Sequence, residues 1–190
     1  MPIRFCCVVL VLSAAAHAVP AIERTASPFE HRFGFGAYVT GSAGAYSAGG
    51  VGGRIRVELT SWLGTDFFGE ALLVSNPGGL RHDHPIGFNL FVPFSFGRLR
   101  VRPLAGMCVT FSFIEPLEPG APRADDVIFG VHLGAGLELA LHQRLSFFVE
   151  GKGMVWVGHD RAVAGWTGSV DNDISLSPLG QAQLGLTVHL

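Results

Sequence analysis

The segment Leu99-Arg-Val-Arg-Pro-Leu-Ala-Gly-Met-Cys-Val-Thr-Phe111 alternates between two kinds of side chain. Successive side chains of a β-strand point to opposite faces, so alternation separates an apolar face from a polar one. The apolar face carries Leu99, Val101, Pro103, Ala105, Met107, Val109 and Phe111, and the other carries Arg100, Arg102, Gly106, Cys108 and Thr110. The segment is therefore predicted to be a long strand with one polar face.

The same period-2 pattern recurs along the chain between clusters of Gly, Pro, Asn and Asp. It predicts eight strands, at Arg32–Gly41, Gly50–Leu59, Gly64–Val74, Pro85–Phe96, Leu99–Phe111, Val127–Leu141, Arg144–Val157 and Leu179–Leu190. Strands of soluble proteins usually have five or six residues, whereas a tilted strand needs roughly 9–11 residues to cross a bilayer. The lengths favour a membrane protein.

The connections differ in length in a regular way. Short ones are predicted at Thr60–Leu63, Gly97–Arg98 and His142–Gln143, and longer ones at Ser42–Gly49, Ser75–His84, Ser112–Asp126 and Gly158–Pro178. Outer-membrane barrels combine short periplasmic turns with long outer loops in this manner. Both ends of the chain are then expected on the periplasmic side.

The composition fits a barrel that faces lipid. Hydrophobic residues make up 48% of the chain and charged residues only 15%, against roughly 25% in soluble domains. No apolar run after the N-terminal segment approaches the roughly 20 residues of a membrane-spanning helix. The net charge of -2 and the absence of a basic cluster argue against a nucleic-acid surface. A soluble β-sandwich would show the same alternation, so this alternative stays open.

The polar face is predicted to line a narrow interior. Lys152 is the only lysine, and arginine suits enclosed pairing with carboxylates better than lysine does. The predicted inward charges are Arg54, Arg56, Arg100, Arg102, Lys152, Glu58, Asp66, Glu70, Glu138 and Glu150. Lipid is expected to contact side chains such as Val101, Val149 and Leu186. Two outward belts of aromatics are expected, with Phe33, Phe35, Trp62, Phe67, Phe94, Phe96 and Phe147 at the periplasmic rim and Phe111, Phe113 and Phe129 at the other.

The N-terminus has the features of a secretory signal peptide. Arg4 precedes an apolar stretch from Phe5 to Ala16, and Ala16-His17-Ala18 is a cleavage site of the A-x-A type. We expect residues 1–18 to be removed, residues 19–31 to form a short periplasmic lead and residues 32–190 to form the barrel. Cys108 is then the only remaining cysteine and is predicted to be a shielded thiol.

The C-terminal segment Gln183–Leu190 reads polar, any, Gly, any, any, hydrophobic, any, hydrophobic, and resembles the signal by which the barrel-assembly machinery recognises its substrates. The usual terminal residue is aromatic, so Leu190 departs from the commonest form. With the strand pattern, the chain resembles the small outer-membrane proteins of the OmpA/OmpX type over nearly its whole length. The resemblance implies an all-β fold, an eight-stranded antiparallel up-and-down transmembrane barrel, monomeric, in contact with outer-membrane lipids and lipopolysaccharide.

No complete catalytic, cofactor or metal site is predicted. The His-x-Ser pair of lipid A deacylases is absent, and so is the Asp-x-His half of the omptin-type protease site, although Asp171-Asn172-Asp173 matches the other half. The best metal candidate is His82-Asp83-His84, but it lacks a third and a fourth ligand, and a solvated surface loop is the favoured interpretation. Asp125-Asp126 is interpreted in the same way, and His132 as a member of the polar interior.

Two classes of function remain after these exclusions. The first is a non-enzymatic outer-membrane barrel that acts in envelope integrity or in surface interactions through its extracellular loops. The alternative is a narrow channel or carrier for small or hydrophobic molecules. A soluble secreted β-sandwich or ligand-binding barrel is a third interpretation.

Overall fold

The computed structural model describes residue 29 and residues 31–75, 79–116, 124–158 and 175–190. The predicted signal peptide and Asp171-Asn172-Asp173 lie outside these residues. In the part described, no helix has the length and apolar character needed to cross a bilayer.

The described chain is built of antiparallel strands. Their bounds are β1 Phe33–Gly44, β2 Ser47–Glu58, β3 Gly64–Ser75, β4 Gly79–Phe91, β5 Phe94–Phe96, β6 Leu99–Pro116, β7 Ala124–His142, β8 Leu145–Gly158 and β9 Ser175–His189. β4 and β5 both pair with β6 and together form one interrupted strand. β9 pairs with β1 from Gly34↔His189 to Gly44↔Leu179 and closes the sheet. The fold is therefore an eight-stranded, up-and-down antiparallel barrel, as predicted.

The predicted strand Pro85–Phe96 needs a correction, because it begins earlier and is interrupted. β4 ends at Phe91, and the strand resumes as β5 at Phe94. Pro93 has no N–H to donate to a ladder, which explains a break at this point. The N–H of Val92 still donates to the carbonyl of Pro103 at 3.1 Å, so the two segments stay aligned on β6.

Several strands also run further than predicted at the end opposite the short turns. β6 has 18 residues and β7 has 19, so both extend into the predicted loop Ser112–Asp126. At about 3.3 Å per residue, either strand is roughly 60 Å long, and at a tilt of about 40° it stands well above an apolar band of about 25 Å. The predicted loops Ser42–Gly49 and Ser75–His84 were too long for the same reason. In these extensions polar and apolar residues share a face, as Ser112 and Ile114 do on the inner face of β6, and the alternation that identifies a strand is lost.

The short turns lie where they were predicted to within one residue; the turn expected at His142–Gln143 is formed by residues 143–144. Residues 59–63, 97–98 and 143–144 connect their strands at one end of the barrel. Gly97 has a φ of 62°, a left-handed conformation that glycine adopts without a steric penalty. At the same end the N–H of Leu190 donates to the carbonyl of Phe33 at 2.9 Å, so the chain ends beside the start of β1.

The outer surface of the barrel is apolar, as predicted for a wall that contacts lipid. Val149 and Leu186 are 43% and 46% exposed, and Val101 is half-buried. The predicted aromatic belts also face outward: Phe33, Phe35, Trp62, Phe67, Phe94, Phe96, Phe111, Phe113 and Phe129 are exposed, and Phe147 is half-buried. The charged side chains of the mid-strand regions lie on the opposite, inner face.

Replacing Val149 by arginine should place a charge on this apolar wall and lower the free energy of unfolding by about 2–4 kcal/mol. Ser61→Arg, in the exposed turn between β2 and β3, should change it by less than about 0.5 kcal/mol. The measurement is urea unfolding in phospholipid vesicles, followed by the heat-modifiable mobility of the folded barrel on gels. Equal losses in the two variants would contradict a lipid-facing Val149.

Candidate functional site in the barrel interior

All of the charged side chains predicted to point inward do so. Arg54, Arg56, Arg100, Arg102, Lys152, Asp66, Glu70, Glu138 and Glu150 are buried, and Glu58 is half-buried. Burial of an ionised group is costly unless another charge and further hydrogen bonds compensate it. The arrangement of these groups therefore determines what the interior can do.

Asp66 is the centre of the network. Its carboxylate accepts from Nε of Arg56 at 2.8 Å and from Nη1 of Arg102 at 3.1 Å, and it lies 3.6 Å from Nη1 of Arg54. These arginines come from β2 and β6, on either side of the β3–β4 pair. One carboxylate thus links three guanidinium groups across the lumen.

Two glutamates on β7 and β8 complete this network. Glu138 contacts Nη1 of Arg56 at 2.6 Å and Nε of Arg102 at 3.3 Å. Glu150 contacts Arg54 at 3.3 Å, Arg102 at 3.4 Å and Nζ of Lys152 at 3.1 Å. Acids and bases alternate, so each charge has a neighbour of opposite sign. Such a network occupies the space that a water-filled pore would need.

Glu70 is held by neutral donors, and sequence reasoning missed these partners. Its carboxylate accepts from the hydroxyl of Tyr38 at 3.0 Å and from the side-chain amides of Gln181 and Gln183 at 2.8 and 2.7 Å. Gln181 and Gln183 alternate with Ala182 and Leu184 along β9, so the period-2 pattern would have placed both amides inside.

Aromatic rings on the inner face pack against the cations. The guanidinium of Arg54 lies 3.5 Å from the ring centroid of Phe148, and those of Arg56 and Arg102 both lie 5.2 Å from that of Phe91. A cation over an aromatic face is attracted by the ring quadrupole. The rings also fill the lumen between the charged groups.

The inward-facing rings of Phe91 and Tyr38 fit because a glycine stands opposite each of them. A Cβ at Gly64 would lie 2.3 Å from the ring of Phe91, and a Cβ at Gly52 would lie 2.5 Å from the ring of Tyr38. A larger residue at either position would clash with the ring. Inward-facing glycines beside these large side chains therefore make room for them inside a narrow barrel.

Phe29, within the predicted periplasmic lead, packs into the end of the barrel that carries the short turns. Its ring centroid is 4.0 Å from the guanidinium of Arg100 and 5.9 Å from the ring of His189. Its carbonyl accepts from Nη2 of Arg100 at 3.3 Å, while Nη1 of Arg100 pairs with Glu58. A buried aromatic side chain therefore covers the charged network at this end.

Toward the opposite end the interior becomes apolar and then polar again. The apolar layer consists of Phe68, Cys108, Ile128, Met154, Trp156 and Leu179, with Tyr46 packed against it. Beyond it, Nε of Arg81 contacts Asp83 at 2.7 Å, and Ser112 donates to the same carboxylate oxygen. Cys108 is 1% exposed, which confirms a shielded thiol.

The metal candidate His82-Asp83-His84 is not a surface loop, and this expectation was wrong. These residues belong to β4, where Asp83 points inward and is buried while the two histidines are half-buried on the outer face. The imidazoles and the carboxylate therefore cannot meet at one ion. Asp125 and Asp126 likewise lie on opposite faces of β7. In the described ranges, no group of three or more His, Cys, Asp or Glu side chains is arranged to hold a metal ion.

One cluster in the lumen has the residue types of a hydrolase triad but not its geometry. Oγ of Ser146 lies 2.9 Å from Nε2 of His189, and Oε1 of Glu138 lies 3.2 Å from the same nitrogen. In a catalytic triad the acid binds the ring nitrogen that the serine does not contact. Ser146 also donates to Glu138 and is fully buried. The cluster is part of the polar interior, as is His132, whose Nε2 lies 2.5 Å from Oδ1 of Asn89.

The sequence matches no protein-family model and no curated protein. Solved structures do match in fold. Neisserial surface protein A aligns at 13% identity with a TM-score of 0.59 over 83% of this chain and 96% of its own. A major outer membrane protein from Thermus thermophilus aligns at 12% identity with a TM-score of 0.58 over 84% and 100%. The fold is that of the eight-stranded outer-membrane barrels, as the sequence resemblance implied.

One fold can carry both catalytic and non-catalytic proteins, so function has to be argued from the residues of the interior.

Removing Glu150 should leave Arg54, Arg102 and Lys152 short of one counter-charge inside the barrel. Glu150→Ala should lower the free energy of unfolding in vesicles by about 3–5 kcal/mol, the usual cost of breaking a buried ion pair. Asp125→Ala removes an exposed carboxylate at the far end of β7 and should change it by less than about 0.5 kcal/mol. If the two variants unfold at the same urea concentration, the network does not stabilise the barrel.

Proposed function

We propose that the chain is a non-enzymatic outer-membrane barrel that contributes to envelope integrity or presents its outer end to extracellular partners. The observation that carries this proposal is the filled interior, in which the network around Asp66 and the apolar layer follow one another along the lumen. We further propose that the barrel is a monomer, that it contacts outer-membrane lipids and lipopolysaccharide, and that the barrel-assembly machinery recognises its C-terminal strand.

A closed barrel is favoured over a channel for two physical reasons. Eight strands enclose a space just wide enough for side chains, whereas aqueous pores need about 16 strands. An ion that entered would also have to displace a member of the network and then cross Phe68, Met154 and Trp156, which offer it little polar coordination. Both steps would raise the free energy of the ion without a compensating interaction. A narrow channel or carrier remains the alternative function.

The non-enzymatic part of the proposal rests on the geometry of Ser146, His189 and Glu138. The purified protein should hydrolyse short-chain esters and lipid acyl esters no faster than buffer, and Ser146→Ala should not change the rate. Ester hydrolysis that is lost in Ser146→Ala would show that this serine is a nucleophile and would overturn the proposal.

The closed state is tested by electrical recording in planar bilayers. The unmodified protein should give no steady, large conductance, and vesicles that contain it should not swell in sugar solutions. Glu150→Ala, which loosens the network, should show brief openings more often than Asp125→Ala does. A stable conductance of the unmodified protein would contradict the closed lumen and favour the channel alternative.

A further inference from the structure

The exposed charges of the described residues are divided between the two ends of the barrel. Arg32, Arg98 and Arg144 are exposed at the end that carries the short turns, whereas Glu115 and Asp125 are exposed at the other end. At the short-turn end the acidic side chain that the structure describes is Glu58, which is half-buried and paired with Arg100. The exposed charged side chains that the structure describes at this rim are therefore arginines, and the rim lies where the apolar wall ends.

A cleft opens in this rim beside one of the arginines. It has a volume of about 300 Å³ and is lined by Arg98, Ala140, Leu141, His142 and Gln143. The register of β7 and β8 shifts between Ala140 and His142, and such irregularities bend a strand and redirect its side chains. The N–H of Ala140 donates to the carbonyl of Arg98 at 2.8 Å, which fixes the arginine-bearing turn against β7. Backbone hydrogen bonds and the register of the strands therefore determine the shape of the cleft.

The lining combines the groups that a lipid headgroup requires. The guanidinium of Arg98 suits a phosphate, and the amide of Gln143 supplies further donors. Leu141 is 51% exposed and forms an apolar wall. Directly inside the rim, the cross-strand pair Leu99↔Leu139 is exposed on the outer surface and would contact an acyl chain. The polar and apolar groups are arranged in the same order as the headgroup and tail of a phospholipid.

We propose that this cleft binds the phosphate of an anionic phospholipid, with Arg98 as the principal contact and Leu141 against the glycerol and upper acyl region. The proposal rests on the proposed function in one respect, that the barrel spans a bilayer with its short turns at headgroup level. A diester phosphate on a lipid and free inorganic phosphate share the same chemistry. The apolar wall and the adjoining leucine pair favour the lipid.

Native mass spectrometry of the purified protein, released from detergent after incubation with one lipid at a time, tests this assignment. The lipids are phosphatidylglycerol and, as the zwitterionic comparison, phosphatidylethanolamine; inorganic phosphate is added as a competitor. Arg98→Gln should reduce retained phosphatidylglycerol about tenfold, since a hydrogen bond to a charged group contributes on this scale. Arg32→Gln makes the same charge change on the same rim but outside the cleft, and should retain phosphatidylglycerol like the unmodified protein.

The outcomes separate the proposal from its competitors. Equal retention of the two lipids by the unmodified protein would overturn it, and so would equal losses in Arg98→Gln and Arg32→Gln, which would indicate a diffuse electropositive rim. Displacement of phosphatidylglycerol by millimolar inorganic phosphate would show that the cleft recognises phosphate alone and not the lipid. Heat-modifiable gel mobility confirms that each variant is folded. A protein that folds into no vesicle of any composition would refute the barrel function itself, whereas a folded barrel without lipid preference refutes only the cleft.

Discussion

The interior of an eight-stranded barrel is too narrow to hydrate ionised side chains, so the charges that point inward have to compensate one another. Asp66 meets this requirement for Arg54, Arg56 and Arg102, and Glu138 and Glu150 connect the same arginines to β7 and β8. Residues far apart in sequence are joined in this way, since Arg56 and Glu138 are separated by 82 positions. The network can form only in a closed barrel with the correct register.

The packing inside the barrel and the apolar character of its outer face both depend on this charged interior. Phe91 and Tyr38 fill the space beside the charges because glycines stand opposite them, and a larger residue there would clash with the rings. Phe29 covers the network at one end, and the apolar layer separates it from the Arg81–Asp83 pair toward the other. With the charged side chains compensated inside, the outer face is free to be apolar. A lipid-facing wall and a closed lumen are therefore two results of one arrangement.

Period-2 alternation predicted the inward position of every charge from Arg54 to Lys152 in the predicted set, and together with the strand lengths and the regular change of connection lengths it predicted the fold. It failed on β4, where the outer face also carries polar residues, His82 and His84, which is why Arg81 and Asp83 were assigned to a loop. Alternation also says which face a residue occupies but not what lies across the lumen. Strand register and barrel closure determine the partners of Glu70 and the contact between Arg56 and Glu138. The position of Phe29 depends on how the segment before β1 packs against the barrel. The pattern of a single strand contains neither kind of information.

A double-mutant cycle on Arg56 and Glu138 tests most directly whether the buried charges act as one network. The free energy of unfolding in vesicles would be measured for the unmodified protein, Arg56→Met, Glu138→Gln and the double variant. Because the two side chains lie 2.6 Å apart inside the barrel, the coupling energy should exceed about 1.5 kcal/mol, the lower end of values measured for close charge pairs. Effects that add within about 0.5 kcal/mol would contradict an interior held together by these ion pairs.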